Sequence, residues 1–138
     1  MGRGVTTTRY LLDTNAASAI LRQREPVCAH AASVPLSSLA ISSVTAGELH
    51  YGVAKRPQAT TLAKLVREFL RYTDILPWTD AIAPHYGTLR AALETKGITI
   101  APLDLMIAAN ALAIDATLVS ADQALFQIEI LRIEDWSA

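Results

Sequence analysis

The stretch Tyr10-Leu-Leu-Asp-Thr-Asn joins a short apolar run to three polar residues that commonly begin helices. This pattern predicts a buried strand that leads through a turn into a helix of about residues 16–22. Acidic residues usually face solvent, so the presence of an acid directly beside a buried hydrophobic strand needs a physical explanation. Asp13 is therefore the first candidate functional residue.

The same alternation of strand and helix continues along the chain. Helices are predicted over residues 29–32, 42–55, 60–72, 79–96 and 103–114, with one or two helical turns over 122–126. Pro84 lies near the start of the helix over 79–96, so the first turn there can be separate or kinked. Further strands are predicted at Leu39-Ala-Ile, Asp74-Ile-Leu-Pro, Thr117-Leu-Val and Ile130-Leu-Arg-Ile. Strands that alternate with helices predict an α/β fold with a mostly parallel sheet of about five short strands and helices on both faces.

The composition narrows the class of protein. A chain of 138 residues, 51% of them apolar, suits one domain with a real core. The net charge of −1 provides no global basic field, so nucleic-acid binding would need local basic patches or a metal bridge to phosphate. The single cysteine, Cys28, excludes an intramolecular disulfide and a multi-cysteine zinc site.

The termini and hydropathy predict a cytoplasmic protein. No segment approaches the roughly 18 apolar residues that cross a membrane. The polar N-terminus lacks the apolar middle of a secretory signal. We expect one domain over residues 1–138, with residues 1–8 as a flexible N-terminal extension.

Four acids stand in distinctive settings, and the fold predicts that they meet. The carboxyl ends of parallel strands share one edge of a sheet, where ligands collect. Asp13 ends the first strand and Asp122 follows the fourth, while Glu48 and Asp104 lie in the first turn or two of helices that follow strand-like segments. All four carboxylates are therefore expected around one pocket.

Converging carboxylates repel one another unless a cation neutralises them. An all-oxygen pocket suits Mg²⁺ or Mn²⁺ better than Zn²⁺, which prefers nitrogen and sulfur. Such an ion can activate water and stabilise the charge that develops on a phosphodiester.

Each acid also has an ordinary structural explanation. Asp13 could simply cap a helix. Glu48 follows Thr45 at the spacing of a capping box. Asp104 could interact with a helix dipole, and Asp122 could be a turn residue.

Basic residues that could hold RNA phosphates occur near helix ends and on one helix face, although a solvated helix face is the better explanation for any one of them. They are Arg22, Arg24, Lys55, Arg56, Lys64, Arg67 and Arg71.

Four motifs in order resemble the PIN-domain proteins, specifically toxins of the VapC type, over Arg9 to Trp136. The matching stretches are Leu11-Leu-Asp-Thr-Asn, Ile41-Ser-Ser-Val-Thr-Ala-Gly-Glu-Leu-His-Tyr-Gly, Pro102-Leu-Asp-Leu-Met-Ile-Ala-Ala and Thr117-Leu-Val-Ser-Ala-Asp. The resemblance implies a three-layer PIN-like fold. It also implies a Mg²⁺- or Mn²⁺-dependent endoribonuclease toxin, whose partners are an RNA substrate, a neutralising antitoxin and a second copy of the chain. Transfer RNA and a ribosomal RNA loop are both family-level expectations for the substrate, and no residue of the chain chooses between them.

The resemblance also assigns roles to the acids. It makes Asp13, Glu48, Asp104 and Asp122 catalytic, with Asp13 and Asp104 as the direct metal ligands. Asn15 and Ser120 match positions that support the pocket by hydrogen bonding. The chain departs from many relatives at two positions, with Asn110 where they carry His and Asp115 where they carry Gly.

Two other functions remain open from the residues alone. One is a non-catalytic module that holds a basic partner in the acidic pocket. The other is a metal-dependent phosphoesterase that acts on DNA or on small phosphates.

Overall fold

The computed structural model describes residues 8–137, and strand β1 (Tyr10–Leu12) lies at the centre of its sheet. β1 pairs in parallel with β2 (Leu39–Ser42) on one side and with β4 (Thr117–Val119) on the other. The sheet order is β3-β2-β1-β4-β5, with edge strands β3 (Asp74–Leu76) and β5 (Ile133–Glu134). Every pairing is parallel, which confirms the predicted α/β sheet.

Helices cover both faces of this sheet. They are α1 (Thr14–Leu21), α2 (Glu25–Ala32), α3 (Ser43–Ala54), α4 (Thr60–Tyr72), α5 (Ala83–Thr95) and α6 (Pro102–Ala113), with short 3₁₀ helices at Leu36–Ser38 and Gln123–Gln127. Successive side chains of a strand point to opposite faces. Leu11 of β1 accordingly packs with Leu89 of α5 and Ile107 of α6. Leu12 packs on the other face with residues of α1 and α4, such as Ala17 and Val66, so the fold has three layers.

Two helices begin at different residues from those predicted. Proline fits the first turn of a helix because the amide groups there have no partner within the helix. Pro26 occupies that place in α2, which begins at residue 25 rather than at Ala29. Pro84 does the same in α5, which begins at Ala83 rather than at Thr79.

The fifth strand lies further along the chain than predicted. It was expected at residues 130–133 and is found at residues 133–134, paired so that Leu118 faces Ile133. Hydrogen bonds of 2.8 and 3.0 Å from the amides of Leu118 and Ser120 to the carbonyls of Arg132 and Glu134 set this register. Ile130 is 76% exposed, so apolar character alone misplaced the strand.

Two expectations concern the ends of the chain and membranes. The extension predicted at residues 1–8 lies outside the described residues, apart from the exposed Thr8. Within residues 8–137, no helix is long and apolar enough to cross a membrane.

Two glycines of the α5 region should respond oppositely to alanine. Gly97 follows α5 with φ at +72°, a conformation that a side chain strains. Gly87 lies inside α5, with open space where a Cβ atom would stand. We expect Gly97→Ala to lower the free energy of unfolding by about 1 kcal/mol or more, and Gly87→Ala to raise it by about 0.5–1 kcal/mol. Urea unfolding of the two variants measures both, and changes of the same sign would contradict the expectation.

Candidate active site

The four acids lie at the carboxyl edge of the sheet or at helix ends that reach it. Asp13 directly follows β1, and its amide donates to the carbonyl of Val119 in β4 at 3.1 Å. Asp122 lies three residues past the end of β4, and Glu48 is the sixth residue of α3, which begins directly after β2. The position of Asp104 departs from the predicted pattern, in which its helix follows a strand. Helix α6 instead follows α5 through residues 96–101 without an intervening strand.

Asp13 is the most constrained of the four. It caps α1, with its Oδ1 atom accepting a 2.8 Å hydrogen bond from the amide of Ala16, and only 6% of the residue is exposed. Burial raises the pKa of Asp13 above its usual value of 3.8, and the charges of Asp122 and Glu48 add to the rise. The Ser120 hydroxyl and the Ala16 amide oppose it. Asp13 therefore caps a helix while the charged form of its carboxylate is destabilised.

Asp104 is half-buried in the first turn of α6, where its side chain caps nothing. Its burial raises its pKa above 3.8, and the negative charges of Asp122, Asp13 and Glu48 raise it further. The four carboxylates thus form one electrostatic group, as the sheet-edge rule predicts.

Glu48 is held by a contact between two helices. The hydroxyl of Thr14 in α1 donates to Glu48 Oε1 at 2.5 Å, and the fully buried Thr45 Oγ1 lies 3.4 Å from Thr14 Oγ1. The capping-box alternative for Glu48 does not occur, because Ser42 caps α3 by accepting from the amide of Val44.

Thr14 takes part in the site through a contact that its sequence position does not indicate. From the sequence it is expected only to begin a helix, yet its side chain reaches across to Glu48. Its position directly after Asp13, at the end of the strand, is the feature of the sequence that points to a role in the site. No local pattern connects residues 14 and 48, so the contact requires knowledge of the fold.

Asp122 and Ser120 form a local turn beside the other acids. The amide of Asp122 donates to Ser120 Oγ at 3.0 Å, and Asp122 Oδ1 accepts from the amide of Ala124 at 3.0 Å. The expected turn role of Asp122 is therefore real and coexists with its place among the acids. The side chain of Asn15 is exposed and hydrogen-bonds to no residue in the described range 8–137, so its supporting role stays a prediction.

The donor set suits a hard divalent cation, because every candidate ligand is a carboxylate oxygen. Burial and mutual repulsion raise the pKa of two of these acids, and a nearby cation would relieve both costs. Within residues 8–137, no three acidic, His or Cys side chains form a ready-made cation cage. The arrangement therefore fits an ion held by one or two carboxylates and otherwise by water, the usual binding mode of Mg²⁺.

The two departures from the family pattern lie outside this group of acids. Asp115 has φ at +56°, a left-handed conformation that glycine adopts more easily and that fits the glycine implied here by the PIN-domain resemblance. Asn110 is fully buried in α6, and neither its amide nitrogen nor its oxygen has a partner among the described residues. An unpaired buried amide destabilises the fold by about 1–3 kcal/mol.

Comparison with known sequences supports the same interpretation. A family model described as PIN domain matches residues 10–131, a range that includes all four acids. The Shigella flexneri protein named tRNA(fMet)-specific endonuclease VapC is 30% identical over 130 residues, which are 94% of this chain and 98% of that protein. Ribonuclease VapC2 of Rickettsia felis is 37% identical over 101 residues, 72% of this chain and 75% of that protein.

Solved structures agree with the sequence comparison. A chain in the crystal structure of DNA-bound VapBC from Salmonella typhimurium is 30% identical and superposes with a TM-score of 0.86, covering 94% of this chain and 99% of that one. The structure of VapBC2 from Rickettsia felis bound to a promoter DNA fragment gives a TM-score of 0.84 at 30% identity, with coverage of 92% and 98%. The chain therefore belongs to the PIN-domain family and, within it, to the VapC ribonucleases.

Proposed function

We propose that this chain is a metal-dependent endoribonuclease toxin that hydrolyses RNA phosphodiester bonds and is neutralised by a cognate antitoxin. The observation that carries the proposal is the group of four carboxylates at one sheet edge, two of them with raised pKa. The Shigella flexneri relative is named as specific for a transfer RNA, so transfer RNA is the substrate to test first.

The proposed cofactor is Mg²⁺ or Mn²⁺, since PIN-domain ribonucleases generally depend on divalent metals and all the candidate ligands here are oxygens. Asp13 and Asp104 would hold the ion, because burial makes their charges the most costly to leave uncompensated. A bound divalent cation supplies a water of lowered pKa and neutralises charge on the scissile phosphate.

The remaining site residues would position water or substrate and would not bind the metal directly. Glu48, fixed by the Thr14 hydroxyl, is placed to accept a hydrogen bond from water and to orient it. Asp122 would do the same from the end of β4, where its turn with Ser120 limits its motion. Asn15 is free to contact substrate, because its side chain is exposed.

Removing either proposed metal ligand should abolish cleavage. We expect Asp13→Asn and Asp104→Asn each to lower kcat/KM for RNA by about 100-fold or more, a loss typical of preorganised electrostatic groups. The fold should persist, because the amide oxygen introduced by Asp13→Asn can still accept from Ala16 and Asp104 caps nothing. Cleavage of transfer RNA with Mg²⁺, Mn²⁺ or EDTA, with circular dichroism, measures both.

Asp80→Asn is the matched control, because Asp80 is exposed and lies outside the group of acids. Full activity in Asp13→Asn or Asp104→Asn would contradict the assignment. Cleavage of DNA but not RNA would support the phosphoesterase alternative, and cleavage of neither would support the binding module. Membership in the VapC ribonucleases disfavours both alternatives.

The raised pKa of Asp13 predicts how stability depends on pH in the metal-free protein. The folded state keeps a proton that the unfolded state releases above pH 3.8, so this contribution to stability is lost as pH rises toward the raised pKa. In EDTA, wild type should lose more stability over that window than Asp13→Asn, as measured by urea unfolding. At neutral pH a divalent cation should restore stability to wild type more than to the variant. Identical pH profiles would contradict the raised pKa.

The proposed antitoxin site is a groove between α1, α3 and α4, of about 320 Å³. Its apolar side chains include Leu49, Leu62, Leu65 and Val66, and Glu48 lines it together with the basic residues Arg22, Lys55 and Arg56. An amphipathic helix can lay its apolar face in such a groove. A basic side chain of the antitoxin could then pair with the carboxylates and displace metal or RNA.

A charged side chain among the apolar residues of this groove should impair neutralisation by the antitoxin without affecting RNA cleavage. Leu65 lines the groove and is 40% exposed. We expect Leu65→Asp to weaken antitoxin binding by at least about 10-fold, because it places a charge against an apolar helix. RNA cleavage should be unchanged. Leu36→Asp is the control, because Leu36 is 68% exposed and lies outside the groove. Unaltered binding by Leu65→Asp in calorimetry would exclude this groove.

Two further expectations remain proposals. Self-association into a homodimer is proposed because large apolar side chains such as Phe126 and Ile130 are exposed. A cytoplasmic location is proposed because the RNA substrate and the antitoxin would be met there.

A further inference from the structure

The nearly neutral net charge hides a strong segregation of charge along the chain. Residues 14–73, which run from α1 to the end of α4, contain seven basic and three acidic residues, a formal charge of +4. The rest of the chain contains five basic and ten acidic residues, a formal charge of −5. The basic residues are therefore concentrated in the part of the chain from α1 to α4, which the total charge does not reveal.

The basic residues of this segment are also free of acidic partners among the described residues. Four ion pairs occur within residues 8–137, and all of their cations lie outside residues 14–73. Those cations are Arg9, Arg90, Lys96 and Arg132. The cations of the segment therefore remain available to an anionic ligand.

Two of these free cations line a groove that leads to the acids. The α1–α2 groove, about 450 Å³ in volume, is lined on the α1 side by Asn15, Ser18 and Arg22, and at the start of α2 by Arg24. None of the described residues that line it is acidic. Asn15 also lines a neighbouring pocket with Ser120, whose hydroxyl oxygen accepts from the amide of Asp122, so one end of the groove lies beside the group of acids.

The turn between α1 and α2 holds the two arginines at the other end. The amides of Arg22 and Arg24 donate at 2.9 Å to the carbonyls of Ser18 and Ala19, while Gln23 takes φ at +55°. Seven residue-to-residue steps lead along α1 from Asn15 to its C-cap Arg22, a rise of about 10 Å at 1.5 Å per residue. The arginine side chains can therefore reach phosphates that flank the scissile one.

We propose that the α1–α2 groove binds the phosphate backbone of the RNA strand next to the cleavage site. Arg22 and Arg24 contact flanking phosphates, and Asn15 and Ser18 hydrogen-bond the backbone between them and the acids. This inference rests on the proposed ribonuclease function and names the path of its substrate. Arginine suits the task because its planar guanidinium can donate two hydrogen bonds to one phosphate.

The salt dependence of binding tests this path. A protein that neutralises phosphates releases counterions, so the logarithm of affinity falls linearly with the logarithm of salt concentration. For single strands, each lost phosphate contact reduces that slope by about 0.7. The probe is a short fluorescent single-stranded oligoribonucleotide, bound to protein in EDTA and followed by anisotropy over about 50–200 mM NaCl.

We expect Arg22→Gln and Arg24→Gln each to weaken binding about 10-fold and to lower the slope by about 0.7. With metal, KM for RNA cleavage should rise by a similar factor, while kcat stays near that of wild type. Arg24→Lys should recover the slope because it keeps the charge. Arg67→Gln is the matched control, since Arg67 is exposed on α4 and lines neither groove.

The outcomes separate this inference from the proposed function. If both glutamine variants bind and cleave like Arg67→Gln, or if wild type does not bind the probe, the path is wrong. If wild type cleaves RNA and the arginine variants behave like wild type, the ribonuclease proposal is retained and the proposed role of the α1–α2 groove is excluded. Arginine-dependent binding without any metal-dependent cleavage keeps the groove and removes the ribonuclease.

Discussion

The burial of a carboxylate at the end of the central strand is the constraint on which the rest of the structure depends. Asp13 follows the fully buried Leu11 and Leu12 and is tied to β4 through its backbone amide. Its side chain caps α1, so it cannot turn toward bulk water without releasing the helix. The raised pKa of Asp13 records the resulting cost. The charges of Asp122 and Glu48 increase this cost, and a cation bound among the acids would relieve it.

Much of the fold follows from patterns that are local in the sequence. The apolar run Tyr10-Leu-Leu predicts the central strand, and the alternation of strands and helices predicts the parallel sheet. Features set by partners far along the chain are not predictable in this way. The register of β5 depends on the amide of Leu118, and the apolar residues around Ile130 gave the wrong position. Helix starts moved because Pro26 and Pro84 fit inside first turns.

The site shows the same division between local and distant information. The position of Asp13 and Asp122 follows from where parallel strands end, which the sequence indicates directly. Asp104 joins them although no strand precedes α6, so its place depends on how α5 and α6 pack. The hydrogen bond from Thr14 to Glu48 joins two helices that share no sequence pattern. Side-chain contacts of this kind become visible only once the layers are assembled.

Helix α1 contributes to the lining of both the proposed antitoxin groove and the α1–α2 groove, since Ser18 and Arg22 line each of them. Occupants of the two sides are therefore linked through the same few side chains. Linkage of binding free energies is reciprocal, so an antitoxin that lowers the affinity for RNA by some factor has its own affinity lowered by RNA by that same factor. Release from inhibition would then depend on the concentration of substrate as well as on the turnover of the antitoxin.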